Sequence, residues 1–126
     1  EATAQRQIWG KVMSVYDGDT ITVAMDLGAG YVAVKCRMRG YDSPEMKPPK
    51  AAPNRDETKR KAVEARDFLV DLLGGEYSIH KFHSTGREKY GRLLVDCRVG
   101  DRWVSDVMIR EGHGYKYDGG TKKATI

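Results

Sequence analysis

Residues 8–39, IWGKVMSVYDGDTITVAMDLGAGYVAVKCRMR, decide the fold. β-branched and aromatic side chains crowd 8–16 (IWGKVMSVY) and 20–26 (TITVAMD), and the turn Asp17-Gly18-Asp19 separates them. That pattern predicts a hairpin. A second turn around Gly28-Ala29-Gly30 leads into 31–39, where Val32, Val34, Cys36 and Met38 alternate with Ala33, Lys35, Arg37 and Arg39. Strand side chains alternate between two faces. Three antiparallel strands therefore open the chain, and the third carries its arginines on one face.

All four prolines fall between Pro44 and Pro53, with Lys47, Lys50 and Asn54 around them. Proline fixes φ and lacks an N–H donor, so this segment reads as a loop. A helix follows. Asn54 and Glu57 have capping-box spacing, and Ala62, Ala65, Phe68, Leu69, Leu72 and Leu73 recur at helical intervals until Gly74-Gly75. Lys59, Arg60 and Lys61 read as its solvated face. Strands resume at 76–83 (EYSIHKFH) and 92–99 (RLLVDCRV). Ser105 is placed to cap a short helix carrying Val107, Met108 and Ile109, which Gly112 stops. The tail Lys122–Ile126 has no periodicity. The order β-β-β-α-β-β-α predicts an α+β, mainly β chain: a five-stranded Greek-key barrel of the oligonucleotide/oligosaccharide-binding type with two helices. It forms one domain over residues 1–126, with a core over about 8–120.

The 126 residues are 40% apolar and 32% charged, with a formal net charge of +4. A modest basic excess suits a polyanionic partner, because binding releases counterions; it equally describes a merely soluble basic surface. No apolar run nears the roughly 20 residues of a membrane span, and no membrane partner is expected. The chain begins at Glu1 without methionine or signal peptide, as a processed or trimmed form would. Cys36 and Cys97 sit in apolar alternating segments and read as buried thiols rather than a bridge.

Chemistry concentrates in three segments: Tyr16–Thr20 (YDGDT), Arg37–Glu45 (RMRGYDSPE) and Glu88–Arg92 (EKYGR). Asp19 and Asp42 are candidate ligands for a hard, oxygen-seeking cation, although Asp-Gly-Asp is also a common turn. No Cys/His cluster has zinc spacing. Glu45 follows Ser43-Pro44 and is placed to orient or deprotonate an attacking water; alone it would be a surface glutamate. Arg37 and Arg92 can clamp a phosphate bidentately and stabilise charge in its transition state, or can be ordinary surface or salt-bridged arginines. Tyr115 and Tyr117, two apart after Gly114, would present rings on the same side of an extended segment, to stack on a base or to pack on the barrel. His80, His83 and His113 are scattered and read as surface or satisfied histidines.

The pieces VYDGDTITV, CRMRGYDSPE, REKYGR and GYKYDGG, taken together, resemble the staphylococcal nuclease (thermonuclease) family over roughly residues 8–120. The resemblance implies a monomeric barrel enzyme that hydrolyses DNA and RNA with calcium, leaves 3′-phosphate ends and has weak sequence preference. By motif it implies Asp19, Asp42 and the Ser43 main-chain carbonyl as calcium ligands, Glu45 as general base or water-orienting residue, and Arg37 and Arg92 as catalytic arginines. Lys89, Tyr90, Tyr115 and Tyr117 fall where the family contacts the nucleotide. It also implies a secreted or cell-envelope location. Ser43 and Glu88 depart from the threonine and aspartate of the best-known member, and that member's long C-terminal helix has no counterpart. The rival class is a barrel that has lost catalysis and only binds nucleic acid or protein. The full set Asp19, Asp42, Glu45, Arg37 and Arg92 favours the enzyme.

Overall fold

The alternating stretch does form the first half of a barrel. The computed structural model describes residues 5–117; the tail Lys122–Ile126 and the end of the expected core lie outside them. In chain order the elements are β1 (Arg6–Asp17), β2 (Thr20–Asp26), β3 (Tyr31–Met38), β4 (Tyr41–Asp42), α1 (Arg55–Leu73), β5 (Ile79–Arg87), β6 (Leu93–Asp96), β7 (Arg98–Val99), β8 (Arg102–Trp103), α2 (Val104–Arg110) and β9 (Tyr115–Lys116). β1, β2 and β3 pair antiparallel in sequence order. β5 pairs antiparallel with β1 and with β6, and β6 closes the barrel by running parallel to β3. Parallel neighbours need a long connection between them; α1 and β5 supply it.

Register shifts in β1 between Val12 and Ser14 and between Val15 and Asp17 bend the strand around the barrel. Val12, Ile21, Val23, Met25, Cys36, Met38, Phe82 and Val95 are fully buried inside, and Ala65 and Leu69 of α1 and Val104 and Met108 of α2 join them. Gly10 is required where strands approach closely: a Cβ there would stand 2.4 Å from Val23 Cγ1. Cys36 and Cys97 are free and buried, and burial pushes both thiols up to about 12.

Several boundaries differ from expectation. Asn54 precedes α1 but lies in the left-handed region (φ 55°) and makes no side-chain cap bond, so the capping box does not form. Ser105 lies inside α2 rather than capping it, because its hydroxyl donates to Asp96 Oδ2 at 2.5 Å. The strand expected at 76–83 begins at Ile79, and that expected at 92–99 is broken into β6 and β7. Val32, which alternates in register with the buried Val34, Cys36 and Met38, is exposed. α1 ends as its glycines require, with Gly74 at φ 90°.

Candidate active site

The acidic turn between β1 and β2 is fixed from several sides. The Asp19 N–H donates to Asp17 Oδ1 (3.1 Å) and Thr20 Oγ1 to Asp19 Oδ1 (3.1 Å). The Asp19 carbonyl accepts from the Met38 N–H (2.8 Å), and the Gly18 carbonyl from the phenol of buried Tyr41 (2.7 Å). Gly18 has no room for a side chain: a Cβ would meet Ser43 Cβ at 2.7 Å and Ala65 Cβ at 2.9 Å. The Ser43 N–H then donates to Asp19 Oδ2 at 3.0 Å. Asp19 is thus held beside the segment that carries Asp42, Ser43 and Glu45.

Alternation puts Arg37 on the same face as Lys35, and at the barrel end that face is covered. Arg37 Nη1 donates to the carbonyls of Met38 (2.6 Å) and Tyr41 (2.8 Å) and lies 3.4 Å from Asp19 Oδ2. Nη2 bonds Asp42 Oδ1. The guanidinium is mostly buried between two carboxylates, with its plane preset by backbone. Arg39 lies beyond the end of β3 and is half-buried.

The third segment approaches as the β5–β6 loop. Glu88 Oε1 accepts the N–H groups of Tyr90 (3.0 Å) and Arg92 (2.9 Å), and Oε2 lies 3.2 Å from Arg92 Nη2. Burial pushes the Glu88 carboxyl up, but the bonds from Arg92 and Tyr90 outweigh it and hold it below its ordinary value. Arg92 Nη1 reaches Thr20 Oγ1 at 3.4 Å, next to the acidic turn.

These segments surround one cavity of about 1090 Å³. Asp19, Arg37, Asp42, Ser43, Glu45 and Arg92 line it, and Lys89, Tyr90 and Tyr117 complete its wall. β9 pairs with β4 (Asp42↔Tyr115), and the Tyr117 N–H donates to the Gly40 carbonyl at 3.1 Å. The Tyr117 ring centroid lies 5.8 Å from Arg37 Cζ. Tyr115 stands outside the wall. Its phenol is raised by burial and by the charges of Asp42, Asp19 and Glu45.

One wall residue was passed over as turn chemistry. Asp17 lines the cavity, and burial first, then the charge of Asp19, push its carboxyl up to about 7. Its signal was visible in Asp-Gly-Asp, where both carboxylates fall in one tight turn. Among the described residues no group of three or more His, Cys, Asp or Glu side chains converges as a metal cage. A cation would therefore rest on two buried carboxylates plus main-chain oxygen. That all-oxygen donor set fits a hard divalent ion.

No family profile matches the chain. Two probable staphylococcal-like nucleases of Oryza sativa subsp. japonica, CAN3 and CAN2, are each 26% identical to it over 119 residues, covering 85% of this chain and 28% of the relative. The chain thus spans 28% of the length of the curated relatives it matches. A closed five-stranded barrel and relatives so named agree: the chain has the staphylococcal-nuclease-like fold.

Proposed function

We propose that this domain is a calcium-dependent endonuclease that hydrolyses phosphodiester bonds of DNA and RNA and leaves 3′-phosphate ends. The observation that carries the reading is the meeting of Asp19, Arg37, Asp42, Glu45 and Arg92, from three separate segments, in one cavity. Asp19, Asp42 and the Ser43 carbonyl would hold the ion. Bound calcium would polarise the phosphoryl oxygen and acidify water. Glu45 is solvent-exposed at the cavity, so it can accept the proton of a water attacking phosphorus and pass it to solvent. Arg37, pinned by two carbonyls, offers a fixed fork to the phosphate. Arg92 stabilises charge on the phosphoryl group and the departing 5′-oxygen. Tyr90 and Tyr117 offer ring faces to bases, a sequence-tolerant contact.

Digestion of plasmid and of RNA, with calcium and with excess chelator, tests the proposal. Cleavage of both with calcium and neither with chelator is expected, with 3′-phosphate ends on the fragments. Retention without cleavage under all conditions would replace the enzyme by a binding module.

A further inference from the structure

A second surface carries aromatic rings and positive charge at the other end of the strands that form the site. Register fixes its composition. Lys11 faces Ala24, and Ala24 faces Ala33. Ile79 faces Lys11, and Lys81 faces Trp9. Directly opposed residues share a sheet face, and so do residues two apart on a strand; the same outer face therefore also presents Tyr31 and Lys35. The small alanines leave a shallow groove of about 550 Å³, bounded by Trp9, Tyr31, Tyr77 and Met13.

Trp9, Tyr31 and Tyr77 are exposed by 59, 74 and 62%, unusual for rings of this size. Tyr77 is held there at a cost. Its φ is 71°, a left-handed conformation uncommon for a bulky residue, and its N–H is fastened to the Val12 carbonyl at 2.6 Å. Strain of this kind collects where function requires it. Lys81 Nζ lies 5.4 Å from the Trp9 ring centroid. Three lysines share the face with one acid, Asp26, whose Oδ1 is already engaged by the N–H groups of Gly28 and Gly30.

We propose that this face is a second binding site, for single-stranded nucleic acid. Flat rings give base-stacking surface without sequence readout, and lysines between them meet the phosphates; this combination defines single-strand platforms. A stacked base would take the place of Lys81 over Trp9 and free that ammonium for the backbone. From Trp9 to Asp17 β1 runs at most about 26 Å at ~3.3 Å per residue, and barrels of this type engage roughly 4–16 nucleotides. One strand held on this face can therefore enter the cavity. The inference shares the substrate class proposed above but concerns a different surface.

The test uses the full chain carrying Glu45→Gln and Trp103→Phe, in chelator, so that nothing is cut and Trp9 is the sole indole. It is titrated with an oligothymidylate of about 20 nucleotides, longer than the span of one barrel. Saturable quenching of Trp9 fluorescence is expected. Tyr31→Ala should weaken the affinity roughly tenfold, within the range for one lost base stack. Lys11→Ala and Lys81→Ala should each reduce the salt slope by about 0.7. Absence of quenching, or an affinity unchanged by Tyr31→Ala in a variant that melts like its parent, overturns the proposal. So does sedimentation showing that Trp9→Ala abolishes a dimer without altering oligonucleotide affinity. Plasmid cleavage by the unaltered chain reports on the cavity alone. Quenching without cleavage would remove only the nuclease reading, and cleavage without quenching only this one.

Discussion

The phenol of Tyr41 donates to the carbonyl of Gly18 at 2.7 Å, and the ring is wholly buried. This bond joins the strand that carries Asp42 to the turn that carries Asp19. It spans 23 residues of sequence, so the spacing of the two acids depends on a residue that touches neither substrate nor solvent.

Tyr41→Phe keeps the ring and removes the bond. A buried carbonyl left without its donor costs about 1–3 kcal/mol. Urea unfolding should show a loss of that size, with a lower midpoint and an unchanged slope. An unchanged midpoint would mean that the bond does not tie the turn.

Glu45→Gln should show the reverse pattern. The side chain is exposed, so stability should stay within about 0.5 kcal/mol. Turnover on DNA should fall by roughly 10²–10⁴, the usual range for a general base, with little change in KM. Turnover within a few-fold of the parent would remove Glu45 from the mechanism.

The two cavity arginines should respond differently to lysine. Arg92→Lys should cost about 10²-fold in kcat, comparable to one lost oxyanion donor. Arg37→Lys should lose at least as much and also destabilise the fold, because its buried guanidinium serves Met38, Tyr41, Asp19 and Asp42 at once, more acceptors than an ammonium can reach. Arg39→Lys should be nearly silent in both assays. Kinetics in which Arg39 outweighed Arg37 would overturn the phosphate assignment.

Asp17 gives the metal-free protein a pH dependence of definite sign. In the fold its carboxyl keeps a proton up to about 7, against an ordinary 3.8. Between those values the native chain binds more protons than the unfolded one, so its contribution makes stability fall as pH rises from about 4 to about 7. Asp17→Asn should flatten that trend and raise the urea midpoint near pH 8 in chelator. A midpoint for Asp17→Asn no higher than the parent's near pH 8 would show that Asp17 is not the group responsible.

The large features were legible because they rest on long periodic signals. Residues 8–39 alternate over three strands, and Ala62, Ala65, Leu69 and Leu73 mark the buried stripe of α1. β4, β7, β8 and β9 have two residues each, too few to show a period. Capping depends on local competition: Asn54 turned left-handed, and Asp96 captured the Ser105 hydroxyl. Of the ten site residues expected from the motifs, nine line the cavity, all but Tyr115. Asp17 was not among them, because its part in the cavity wall depends on burial and on the neighbouring Asp19, which a turn sequence does not show.

The ladder between β4 and β9 has a consequence for timing. Among the described residues two pairs make it, Tyr41↔Lys116 and Asp42↔Tyr115, and they join segments far apart in the chain. The barrel itself closes through β3 and β6, likewise far apart in the chain, and such non-local pairings form slowly. A nascent chain that has released residues 17–45 holds both acids and Arg37 in sequence, yet lacks the loop with Arg92 and the brace behind Asp42. The carboxylates are seated only when nearly all of the described chain has emerged, so the cavity is completed well after its acids and Arg37 are already in the chain.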